Sequence, residues 1–194
     1  MTINKLEKAF ELFDAYNRLD PTVISYEGVA YPAEYFFALR LHYWVMQLNP
    51  DAGEALKLAS RCQHIGRWES PRDSYPPGKA GYLKWRSDLK EFHAQKAENI
   101  LLSVGYEYPV IEAVKNIVYK KDLKKNDDVQ VMENALCLVF LQHQYTDFIM
   151  QYDDEKVTRI LQKSWAKMST PGRAIAGTLH FEGRAKLLLE KALA

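Results

Sequence analysis

Cysteine is scarce. Only Cys62 and Cys137 occur in 194 residues, too few for a disulfide framework or a four-thiolate zinc site. Both lie in predicted helices, so buried free thiols in a reducing cytoplasm are expected. Glycine and proline are few as well, 9 and 8, which excludes collagen-like and low-complexity chains. Neither sign of charge is in excess: 26 Lys and Arg stand against 25 Asp and Glu, leaving no general field to attract a nucleic-acid backbone. No apolar run approaches the roughly 20 residues of a membrane span. The opening MTINKLEKAFELF has neither the basic start nor the small-residue cleavage site of a secretory leader. The expected location is cytoplasmic, with no membrane partner.

What the chain does have is an ordinary globular balance, 47% hydrophobic and 26% charged residues, over a length that favours one domain covering residues 1–194. Apolar residues recur at helical spacing throughout, and no run of period-two alternation is bounded by turns. The fold expected is an all-α single-domain bundle. Its helices span roughly 3–18, 31–48, 52–65, 79–104, 109–120, 128–150, 153–168 and 178–192, each uncertain by about 2–4 residues at its ends. Asp51 and Asp153 read as N-caps. The basic run from Lys120 to Lys125 reads as a solvated surface segment. A long irregular stretch from Trp68 to Lys79, with Arg72, Pro76, Pro77 and Gly78, is the loop most suited to function.

Several polar residues fall on apolar helix faces. Glu34 shares the face of Ala38, Leu41 and Val45, and Glu133 precedes the stripe of Leu136, Cys137 and Phe140. His93 lies with Leu89, Ala97 and Ile100, while Gln63-His64 ends a helix just before the long loop. Taken singly, each has a structural reading, such as an acid complementing the helix dipole in a first turn. Together they require either a metal or an ion-pair network, because unpaired buried charge costs several kcal/mol. One or two histidines with carboxylates suit zinc, iron or manganese. Arg67, Arg72, Lys79 and Arg86 follow the Gln63-His64 step, with the fork geometry and compact charge that suit phosphate or carboxylate. His42 and the tryptophans Trp44, Trp85 and Trp165 read as structural.

The order of these features resembles the HD superfamily of all-helical metal-dependent phosphohydrolases. Ser60 to Trp68 looks like its His-Asp pair with an Ile-Gly-basic continuation, Phe92-His93-Ala94 with Ile100-Leu101 resembles a later histidine segment, and Val131 to Ala135 falls where the final Asp helix belongs. Gln63 stands for the paired His, His64 for the paired Asp, Glu133 for the final Asp, and Glu34 near the first His. The similarity runs from Glu34 to Glu133. Over nearly the whole chain the sequence resembles an uncharacterised family, domain of unknown function 4202. That likeness rests on Asp20-Pro21, the string from Gln63 to Trp68, Pro71-Arg72 through Tyr75-Pro76, Gly81-Tyr82-Leu83 with Trp85-Arg86, Phe92-His93-Ala94, Cys137 to Leu141 and Lys167-Met168-Ser169.

The HD resemblance implies a divergent hydrolase of a small phosphoester or nucleotide. In that scheme Glu34, His64 and Glu133 hold a divalent ion (Zn, Fe or Mn) that activates water, and Arg67, Arg72, Lys79 and Arg86 bind the substrate and stabilise developing charge. Gln63 orients ligand or water, and His93 transfers a proton. The alternative is a catalytically inactive module that keeps the helical fold and binds a phosphorylated small molecule or nucleotide, with RNA a lesser partner.

Overall fold

The computed structural model describes residues 4–193. Helix α1 (Lys5–Asn17) starts under Asn4, whose side chain accepts a hydrogen bond from Leu6 N. It leads into a two-stranded antiparallel hairpin, β1 (Val23–Tyr26) and β2 (Val29–Pro32), in register Val23 to Pro32. Glu27 and Gly28 form its turn with φ of 51° and 79°, the left-handed pair whose twist suits a tight hairpin. The hairpin is a small addition to the all-α bundle expected for the chain, which the helices bear out. Its strands are four residues long and lie exposed or half-buried on both faces, so they carry little apolar alternation.

Asp20 sets the start of α2 (Ala33–Leu48). Its carboxylate accepts from Thr22 N and from Glu34 N, both at 2.9 Å, satisfying one of the orphan amides of the helix from 14 residues upstream. Helix α3 (Glu54–Cys62) follows. It is capped at Gly53 rather than at Asp51 as the sequence suggested. Helices α4 (Gly78–Val104) and α5 (Tyr108–Tyr119) each end on a left-handed residue, Gly105 and Lys120. Asn126 caps α6 (Asp127–His143) through Val129 N.

The long helix expected over residues 128–150 breaks at Gln144 and resumes as α7 (Tyr145–Ile149). That change of direction carries Tyr145 into the core, fully buried, with its hydroxyl donating to Ala185 O at 2.9 Å. Asp153 caps α8 (Asp154–Lys167) as expected, a further helix α9 (Thr170–Ala176) occupies what read as a connection, and α10 (Gly183–Leu193) closes the chain. One hydrophobic core runs from Ala9 and Phe13 through Val45, Leu56, Leu101, Met132 and Leu138 to Leu188. Cys62 and Cys137 are both buried and free. Among the described residues no helix is long and apolar enough to cross a membrane. Helix α2 packs on α3 and α6, and α5 packs on α3 and α4, so the ends of α3 and α5 meet between α2, α4 and α6.

Candidate functional site

The site is built around the turn that leaves α3. Ile65 N donates to Cys62 O and Arg67 N to His64 O, both at 3.1 Å, and the turn reverses at Gly66 with φ 71°. A side chain at Gly66 would strain that left-handed conformation and meet Phe92 Cε1 at 2.8 Å. His64 and Arg67 are thereby fixed on either side of a compact reversal. Both line two adjoining spaces: a narrow cleft of about 20 Å³ and a chamber of about 260 Å³.

The cleft gathers positive charge. Arg86, Lys90 and His93 recur at helical spacing on α4 and line it together with Arg67 and Lys120. Among the described residues no carboxylate lines this cleft. Arg86 and Lys90 are half-buried, and among the described residues neither has an ion-pair partner. His93 is buried and its Nδ1 lies 2.7 Å from Ile65 O. A carbonyl only accepts, so Nδ1 carries the proton and Nε2 the lone pair. Burial, opposed by that hydrogen bond and reinforced by Arg67 and Arg86, pushes the imidazolium of His93 down to about 4. Burial and the surrounding cations hold His64 neutral in the same way, well below its ordinary value. The rings of His64 and His93 are 5.8 Å apart. Two neutral imidazoles therefore sit among four cations.

The chamber is of mixed polarity. Phe37, Leu41 and Val139 contribute apolar wall, while Asn17, Glu34, Gln63 and Gln144 contribute polar groups. Glu34 Oε1 stands 3.9 Å from Arg67 Nε. Burial nevertheless dominates, and with Asp20 adding to it and Arg67 opposing it the Glu34 carboxyl is pushed up to about 7. Asn17 and Gln63 are 1% and 3% exposed. Their amide nitrogens donate to Arg61 O and Val118 O, each at 3.2 Å, which fixes both amides with their oxygens the other way. Asn17 Oδ1 and Gln63 Oε1 are buried without a hydrogen-bond partner among the described residues.

The structure thus brings Glu34, Gln63, His64, Arg67, Arg86 and His93 around adjoining spaces. It treats three other expected residues differently. Glu133 lines neither space: its Oε2 lies 2.5 Å from Lys120 Nζ and its Oε1 3.4 Å from Lys167 Nζ. Burial alone would raise the Glu133 carboxyl, but the two ammonium groups hold it below its ordinary value. The buried charge of Glu133 is met by these two lysines, and among the described residues no three His, Cys, Asp or Glu side chains gather as ligands. Arg72 serves the loop, donating to Tyr75 O and Pro76 O at 3.0 Å and to Gly78 O at 3.4 Å. Lys79 is exposed at the start of α4. Replacing Arg72 with alanine should speed amide exchange across residues 70–80 at least about tenfold while leaving α6 unchanged, as hydrogen-exchange mass spectrometry would read. Unchanged exchange in the loop would show that its carbonyls do not depend on the guanidinium.

Three contributors were missed. Lys90 was findable, being four residues after Arg86 on one helix face. Lys120 was hidden in a run read as solvated, because its left-handed backbone at φ 60° turns it inward. Asn17 is the last residue of α1 and gave no signal.

The family described as domain of unknown function (DUF4202) matches residues 7–189. No curated protein and no solved structure matches the chain.

Proposed function

The chain is a member of the DUF4202 family, and from the geometry of this member we propose that it binds a small phosphoester without a metal, the phosphoryl group at the junction of cleft and chamber. The observation that carries this is the half-buried Arg86 and Lys90, unpaired among the described residues, facing Arg67 and Lys120 in a cleft lined by no carboxylate. Half-buried cations without acids are costly unless an anion joins them, and guanidinium forks match phosphoryl oxygens. His64 and His93 stay neutral there, so His93 Nε2 accepts a hydrogen bond rather than adding charge. Glu34 is the one carboxyl among the described residues of the chamber wall, and because burial raises it to about 7 it opposes an anion less than an ordinary carboxylate does at neutral pH. A divalent cation suits this set poorly, since Arg67, Arg86 and Lys120 already face His64 and Glu133 is held by lysines.

Calorimetric titration of inorganic phosphate in the presence of EDTA tests this reading. The wild-type chain should bind, and Arg86→Ala should weaken binding about tenfold to a hundredfold with little change in melting temperature, because Arg86 has no acid partner among the described residues to strand. Binding that vanishes in EDTA and returns with zinc or manganese, alongside near one equivalent of metal per purified chain, would reinstate the metal-dependent hydrolase. A second reading, metal-independent hydrolysis, rests on Glu34, whose carboxyl near neutrality lines the chamber with His64 and is placed in the range suited to proton transfer. EDTA-resistant phosphate release from a phosphoester, lost in Glu34→Gln with phosphate binding retained, would establish it.

A further inference from the structure

Two departures from a regular helical bundle, the hairpin and the break between α6 and α7, border the same groove. It has a volume of about 540 Å³ and lies beside the chamber, sharing Phe37, Arg67 and Gln144 with it. Its rings come in two packed sets. Tyr26 of β1 and Phe37 of α2 both pack on the buried Phe36, at 5.1 and 5.5 Å between ring centroids, and Phe140 of α6 packs on Phe148 of α7 at 5.4 Å. Tyr26, Phe37, Phe140 and Phe148 are each only half-buried where they line the groove, so they keep ring surface open to an occupant. Ser25, Gln144, Asp147 and Gln151 line it as well, setting hydrogen-bonding groups among the rings.

The occupant that matches this wall is flat, aromatic and polar at its edge. Half-buried rings offer stacking faces to another π system, and a saturated chain would leave the amide, carboxylate and hydroxyl groups unused. Arg67 is the one Lys or Arg among the described residues of the groove wall, so an anionic group is better held in the cleft and the groove takes the uncharged part of the ligand. The three spaces are joined in sequence. The cleft shares Gln63, His64 and Arg67 with the chamber, the chamber shares Phe37, Arg67 and Gln144 with the groove, and Arg67 borders all three. The chamber alone, at about 260 Å³, falls below the 300–1,000 Å³ typical of ligand pockets, whereas the groove lies within that range. On the basis of the phosphoester reading above, we infer that the ligand is a nucleoside monophosphate: its phosphoryl group meets Arg67 and Arg86, its sugar occupies the chamber, and its base stacks on the rings of the groove.

Calorimetry on the full chain compares the adenosine, guanosine, cytidine and uridine 5′-monophosphates with ribose 5-phosphate, n-hexyl phosphate and inorganic phosphate. At least one nucleotide should bind about tenfold or more tightly than ribose 5-phosphate, which carries the same phosphate and sugar without the base. Phe148→Ala should shrink that ratio about fivefold or more, toward unity. Hydrogen exchange on the wild-type chain locates the base even if the variant fails to fold: the tighter nucleotide should slow amide exchange in residues 24–26 and 145–151 relative to ribose 5-phosphate. Ribose 5-phosphate binding as tightly as every nucleotide, or hexyl phosphate binding more tightly than all of them, overturns the base assignment while the phosphoester reading stands. Tighter nucleotide binding that leaves exchange in both segments unaltered overturns the groove as the seat of the base. Absence of binding by every phosphate overturns the phosphoester reading itself.

Discussion

Glu133→Ala is expected to destabilise the chain by about 3–5 kcal/mol, the cost of leaving a buried charge without its partner. Glu133 is 3% exposed, and the Lys120 ammonium it faces at 2.5 Å is buried deeply enough that desolvation lowers its affinity for a proton despite the carboxylate beside it. Lys167 is half exposed and can turn to solvent once the acid is gone, whereas the Lys120 side chain is only 19% exposed. At about 2–4 °C per kcal/mol for a chain of this size, melting should fall by about 10 °C. The double variant Glu133→Leu with Lys120→Met removes both charges and should recover most of that loss, since a well-packed apolar pair replaces a buried ion pair at little cost. It should not recover phosphate binding, because Lys120 lines the cleft. Calorimetric melting of the three proteins measures the first point and phosphate titration the second. A fall of under about 2 °C in Glu133→Ala would mean that water reaches Lys120 and that the pair contributes no more than a surface one.

Glu133 also marks how far the sequence could be read. Its helix face was legible, as were those of Glu34 and His93, because a period near 3.6 places residues three and four apart on one side. Its partners were not. Lys120 and Lys167 come from the end of α5 and the end of α8, and nothing in local periodicity says which buried acid meets which distant lysine. The sequence left two remedies open for buried charge, metal or ion pairs, and the choice between them is made by packing. Arg72 shows the same limit from the other side: an arginine in a Pro- and Gly-rich loop reads as free for a ligand, yet a loop short of internal amide donors takes its guanidinium for its own carbonyls. The Gln63-His64 step and the nearby Arg67 and Arg86 were legible as a cluster because they sit on consecutive elements joined by one loop. The orphaned oxygens of Asn17 and Gln63 were beyond reach, since an amide is unsatisfied only with respect to neighbours that the fold supplies.

Raising the pH from 5 to 8 should cost the native chain up to about 3 kcal/mol through Glu34 alone, the equivalent of moving its carboxyl from 4.5 to about 7. The sign follows from proton counting. Between 4.5 and about 7 the native state holds a proton on Glu34 that the unfolded chain has released, so stability is full below 4.5 and is lost as pH rises through 7. The buried histidines act in the opposite sense. His42, His93 and His143 are pushed down to about 4, chiefly by burial, and His64 lies well below its ordinary value; their contribution is present above 6.5 and lost as pH falls toward 4. Four histidines outweigh one glutamate below 6.5, and above it Glu34 acts against a flat background. Urea denaturation should therefore show greatest stability between pH 6 and 7, with a steep acid limb and a shallower alkaline one. Glu34→Gln should keep the acid limb, abolish the alkaline decline and exceed wild type at pH 8 by about 1–3 kcal/mol, because a neutral amide costs far less to bury than an ionised carboxylate. Parallel curves for the two proteins would show that Glu34 ionises as an exposed carboxylate does, which would also remove the reason an anion tolerates it beside Arg67.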